Sequence, residues 1–244
     1  MEPREQDAVV KPVERGIMFQ SYEFSSREGV ERFDSDLTGC AYIFGAGFGH
    51  ISLVDAFDRH YAENRKAYYM ILDLKLCLFN LLISTREIER MRGLRDIADT
   101  FCFYISWFGF VATYRAFYDK FMNLIVEICY PNQWKSFEGA RSKRNKFRSI
   151  VESQPTAFAA DLFIHLPEGF IKWMDSFIEM IDDQYRTAEI HGSGMARKWI
   201  FSEDDLGKTP YRALGTFIDH IEQFFDVIAC IASGEKHAKR IDPN

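Results

Sequence analysis

The stretch EGFIKWMDSFIEMIDDQYRTAEIHG, residues 168–192, sets the period of the whole chain. Its apolar positions Ile171, Met174, Ile178, Ile181, Tyr185 and Ala188 recur at spacings of three and four, which lays one continuous stripe along an α-helix. Pro167 stands just before the stretch, and Gly192 follows the last turn, where a left-handed residue ends a helix well. A helix striped along its full length needs a neighbour along its full length.

The same period runs outward in both directions. Pro131, Pro155, Pro167 and Pro210 divide the chain into helical segments at Leu53 to about Arg92, Leu94 to Tyr130, Ser142 to Ser153, Glu168 to His191 and Tyr211 to Ser233. The last repeats the stripe with Leu214, Phe217, Ile221, Phe224, Ile228 and Ile231. Period-two patterns are nearly absent after residue 50, and the run Cys40-Ala41-Tyr42-Ile43-Phe44 reads as a strand or as a buried segment. The expected fold class is therefore all-α, an antiparallel bundle of about five long helices. An irregular N-terminal tail and lead-in is expected over 1–50, the helical domain over 51–235 and a C-terminal tail over 236–244.

Composition narrows the setting. With 244 residues, 47% of them hydrophobic and 16% aromatic, the chain has ample material for a core. A net charge of −6 argues against binding nucleic acid over the whole surface, so any such contact must be local. Cys40, Cys77, Cys102, Cys129 and Cys230 are odd in number and sit mostly in apolar runs, the usage of reduced thiols rather than of a disulfide framework. Residues 1–20 lack the basic and apolar regions of a signal peptide, and the uncharged apolar stretch Thr100 to Tyr114 falls short of the roughly 20 residues that span a bilayer. A soluble cytoplasmic protein without a membrane partner is the expectation.

Several chemistries lack their ligands. No Cys-x-x-Cys, no histidine pair at three to five residues and no Glu-x-x-His is present, so neither a metal nor another cofactor is expected. Gly45-Ala46-Gly47-Phe48-Gly49-His50 resembles a dinucleotide turn, but His50 occupies the helix-packing position and no βαβ unit follows. Asp182-Asp183 and Glu203-Asp204-Asp205 read as solvated acids, the second group opening a helix after Ser202.

One charge feature opposes the acidic total. Lys135, Arg141, Lys143, Arg144, Lys146 and Arg148 crowd fourteen residues with the single acid Glu138, and Trp134, Phe137 and Phe147 interleave with them. Basic groups with aromatic partners suit phosphate contact and base stacking, while the plain alternative is a solvated helix face. The other feature is the end of the opening stretch, Tyr185-Arg186-Thr187-Ala188-Glu189-Ile190-His191-Gly192. An arginine there can hold a phosphate and a histidine can move a proton near neutral pH. The alternative is structural: Arg186 pairs with Asp182 or Glu189, and His191 complements the helix dipole.

A helical chain with Arg186, the polar Thr187 and, after three more residues, His191 at the end of an inner helix resembles the HEPN family of bacterial and archaeal defence ribonucleases. The phrase Tyr114-Arg115-Ala116-Phe117-Tyr118-Asp119-Lys120 is also similar to the larger members. Thr187 stands where that family most often has asparagine, aspartate or histidine, and Ser193 where a nucleotide-modifying subfamily has tyrosine. The resemblance implies metal-independent endoribonuclease activity in a toxin or antiphage system, possessing RNA as its partner, a homodimer and in some cases an antitoxin protein. The ribose 2′-hydroxyl attacks the adjoining phosphate and leaves a 2′,3′-cyclic phosphate. His191 is implied as the proton shuttle, Arg186 as the charge-stabilising group and Thr187 as the orienting residue.

Five residues of helix separate Arg186 from His191 by about 7.5 Å of rise and roughly 140° of rotation, so a second copy is expected to complete the cleft. Arg197 and Lys198, together with Arg141, Lys143, Arg144, Lys146 and Arg148, are the expected RNA-binding walls. Two other functions remain open: a non-catalytic HEPN-like interaction or regulatory module, and a helical nucleotide-binding protein.

Overall fold

The structure is a computed structural model that describes residues 22–43, 51–90, 97–153, 172, 175, 179 and 228–234. Helices are its only regular elements: the protein is all-α, with no strand among the described residues.

Helix α1, Arg27–Ile43, lies inside the expected irregular lead-in and corrects that expectation. Its apolar positions Val30, Phe33 and Leu37 are buried at spacings of three and four, but they stand among so many charges that the stripe is thin. Before the helix, Tyr22 and Phe24 both set their rings edge-on to Phe33 at 5.0 Å, which adds aromatic cover to a narrow apolar face. The residues Cys40 to Ile43 are helical, not a strand.

The segment expected to run unbroken from Leu53 is two helices. Helix α2, Leu53–His60, is capped by Ser52, whose Oγ accepts from the Asp55 amide at 3.2 Å. The chain then turns, and Asn64 starts helix α3, Arg65–Arg90, by accepting the Ala67 amide on Oδ1 at 3.0 Å. A short polar side chain that satisfies an orphan helix amide favours a boundary over a continuous helix at Asn64.

Helix α4, Ile97–Cys129, is the longest element and packs antiparallel to α3. Two ion pairs show the direction: Lys66 Nζ lies 2.6 Å from Glu127, and Lys120 Nζ lies 2.6 Å from Asp73. Between and beyond these rungs the contact is apolar, with Tyr68, Ile71, Leu74, Leu78 and Leu81 of α3 buried along with Trp107, Phe110, Tyr114, Phe117, Phe121 and Leu124 of α4. Nearer its start, α4 also leaves Ile97, Phe101, Ile105 and Phe108 exposed on a single side. Among the described residues one helical stretch, Arg65–Ile88, is long and apolar enough to cross a membrane; nearly half of its apolar window is buried against the rest of the protein.

After α4 the chain makes a 3-10 turn at Pro131–Gln133, a short helix α5 over Trp134–Glu138 and helix α6 over Lys143–Ser153. Phe137, Phe147, Ile150 and Val151 anchor these two helices in the core, which leaves the loop between them and the first turn of α6 facing outward. Residues 228–233 are helical, and the buried His60 ring of α2 reaches the Ile231 carbonyl from Nε2 at 3.0 Å.

Candidate anion-binding site

The basic strip falls in two places with different fates. Arg144 and Arg148 are on successive turns of α6 and both grip Asp175: Arg144 Nε lies 3.0 Å from its Oδ1, and Arg148 pairs with Oδ2. Arg144 also reaches Glu179 at 3.5 Å. Lys172, Asp175 and Glu179 of the opening stretch are helical. These cations therefore fasten α6 to that stretch, and much of their charge is already matched.

Arg141, Lys143 and Lys146 make no ion pair with any described residue, and Arg141 is exposed. Lys143 holds its Nζ 4.8 Å from the centre of the Phe137 ring, a cation–π contact that fixes the ammonium at the start of α6. The aromatic part of the expectation is corrected here. Phe137 and Phe147 are buried in the core, because on these short amphipathic helices they are the apolar face, and Trp134 is half-buried beneath Lys66, whose Nζ stands 3.1 Å from its ring. None of the three offers an open face for stacking a base.

Three residues of α4 complete the site, and the strip alone did not indicate them. Arg115, Asp119 and Asn123 join Arg141, Ser142, Lys143 and Arg144 in lining a cleft of about 400 Å³. They recur every four residues in an otherwise apolar helix, so a narrow polar stripe was present in the sequence and marks one face. Arg115 pairs with Asp119 at 3.1 Å. The Arg115 guanidinium also lies 5.5 Å from the ring centre of Tyr118, whose hydroxyl burial pushes up to about 12, with Arg144, Arg115 and Arg148 pulling against that rise.

Arg141 and Lys143, which no described carboxylate matches, leave the lining positive in a protein whose net charge is −6. The first-turn amides of α6 add partial positive charge at the same place. The Asn123 Oδ1 atom is buried without a hydrogen-bond partner. The cleft is built to receive an anion that also carries polar groups.

Arg186, Thr187, His191, Arg197 and Lys198 lie outside the described residues, as do the glycine run at 45–49 and the acidic groups at 182–183 and 203–205. Of the cysteines described, Cys129 and Cys230 are buried, Cys77 is half-buried and Cys102 is exposed, all as free thiols. Burial pushes the Cys129 thiol far above its ordinary value, so it is inert at neutral pH. No group of three side chains able to hold a metal occurs among the described residues. Comparison of the chain with family models, with curated proteins and with solved structures returns no match.

Proposed function

We propose that the protein is a HEPN-like helical bundle, working as a homodimer, that cleaves RNA without a metal in a bacterial or archaeal toxin or antiphage setting. His191 moves the proton, Arg186 stabilises the charge on phosphorus and Thr187 orients one of them. Arg197, Lys198 and Arg141, Lys143 and Lys146, which make no ion pair among the described residues, guide the strand.

One observation carries this reading. Arg144 and Arg148 of α6 tie the basic cleft to Asp175, and the apolar period of the sequence runs on from Asp175 towards Arg186 and His191. Cations fastened to the segment that would carry the acid–base pair can hold phosphates further along the strand while the 2′-hydroxyl attacks.

The test is direct. Purified protein incubated with single-stranded RNA in chelator yields fragments ending in cyclic phosphate, and His191→Ala abolishes them while helicity is unchanged. Intact RNA with the native chain, or equal cutting by the variant, overturns the reading and leaves the non-catalytic helical module in its place.

A further inference from the structure

We infer that the cleft between α4 and the start of α6 holds one nucleotide unit, with its phosphate on Arg141 and Lys143 and its nucleoside against Asn123. The inference deepens the reading above by naming a binding subsite distinct from Arg186 and His191, and it stands whether or not the chain cuts RNA.

Three independent features converge on this cleft. Its cations are of two kinds: Arg115 and Arg144 are braced by Asp119 and Asp175, whereas Arg141 and Lys143 have no carboxylate among the described residues. The braced guanidiniums are held at fixed positions, and the unbalanced pair supplies the attraction. An incoming phosphate would supply the missing counter-charge.

The second feature is Asn123. A buried amide oxygen without a donor is costly, and turning the amide about its last bond merely exchanges that acceptor for a pair of donors at the same spot. A bare inorganic anion offers no donor to it. A nucleoside offers hydroxyl and base-edge groups that serve either orientation of the amide.

The third is size. A volume of about 400 Å³ lies at the lower end of the range for small-molecule sites, roughly 300–1,000 Å³, and admits one nucleotide but not a duplex. The nucleotide arrives either free or as one residue of a single strand.

Calorimetric titration of the full chain in chelator distinguishes these sources, using inorganic phosphate, AMP and a short single strand bearing 2′-methoxy groups, which has no hydroxyl to attack. Saturable binding of AMP identifies a free nucleotide, and binding of the strand alone identifies a strand residue. In either case Arg141→Ala with Lys143→Ala weakens the binding about tenfold or more, and Arg32→Ala, which removes an exposed cation of α1 outside the cleft, leaves it within about twofold. Three results each overturn the inference: neither AMP nor the strand binds, phosphate binds as tightly as AMP, or Arg32→Ala weakens binding as much as the double substitution. A failed cleavage assay with intact binding would remove the nuclease reading alone.

Discussion

Lys75 of α3 meets Asp34 of α1 inside the core, joining residues 41 apart in sequence. The Lys75 side chain is 2% exposed, and its Nζ also donates to the Ile51 carbonyl at 2.6 Å. The other oxygen of Asp34 accepts the Leu53 amide at 3.1 Å, so one carboxylate ties α1 to the start of α2 and to the middle of α3. Burial pulls the Lys75 ammonium down to about 8.

The two partners are therefore unequal as targets. Asp34→Ala strands a buried ammonium and is expected to cost about 3–5 kcal/mol, whereas Lys75→Met leaves a carboxylate that still accepts an amide and reaches water, and costs about 1–2 kcal/mol. In Asp34→Ala burial acts on the lysine without the carboxylate and keeps its pKa below the 10.5 of the unfolded chain. The unfolded state then binds more protons between those values, so the variant regains stability as pH rises through that window. Urea midpoints for both variants across this range check the order and the sign; equal losses, or no recovery for Asp34→Ala, would contradict it.

His60 predicts a second pH dependence, of the same sign but at lower pH. Its burial holds the imidazole below the ordinary value of 6.5, with the Ile231 carbonyl partly offsetting the effect. Above 6.5 the ring is neutral in both states and the stability is full; as pH falls below 6.5 the unfolded chain takes up the proton first and stability declines. His60→Leu is expected to remove that slope and to cost about 1–2 kcal/mol, since the Ile231 carbonyl at a helix end loses its donor. Thermal melts over this range measure both effects.

Two glycines are expected to reject alanine for different reasons. Gly234 has φ of 77°, and a Cβ there would fall 0.7 Å from the Arg59 guanidinium, a flexible tip that can swing aside. Gly234→Ala should therefore cost about 1–2 kcal/mol, the penalty of left-handed backbone. At Gly29 a Cβ would lie 2.2 Å from the Glu23 carbonyl oxygen, which is backbone and must shift the turn. Gly29→Ala is expected to destabilise by about 1–3 kcal/mol although alanine is the better helix former. A stabilised Gly29→Ala protein would show that the turn yields freely.

The grip of α6 on Asp175 can be tested by reversal. Asp175→Arg places like charges beside Arg144 and Arg148 and lowers stability, and adding Arg144→Glu with Arg148→Glu restores part of the loss. Because these guanidiniums are 30% and 45% exposed, the coupling recovered in the cycle is about 0.5–1 kcal/mol for each pair. A coupling of zero would mean that α6 and the 168–191 stretch are held together by other contacts.

Long elements with a strong period were legible from residues alone. The expected segments Leu94 to Tyr130 and Ser142 to Ser153 correspond to α4 and α6 within a few residues, since proline and an unbroken apolar period mark them. The shorter features were harder to read. Helix α1 hides three apolar positions among charges, and the break at Asn64 depends on one side-chain cap that an apolar pattern does not register. At the cleft, the strip from Arg141 to Arg148 advertised its charge, but Arg115, Asp119 and Asn123 lie on another helix and join it only through packing.

Local chemistry along the chain thus determined its helical character, roughly where α4 and α6 start and stop, and that one short segment is strongly basic. Tertiary structure decided the rest of the site: which of those cations are matched by Asp175 and Glu179, that Phe137 and Phe147 face the core, and that α4 supplies the opposite wall of the cleft. The physical reason is range. Helical period and capping act over a few residues, whereas charge compensation and enclosure depend on groups brought together from distant parts of the chain.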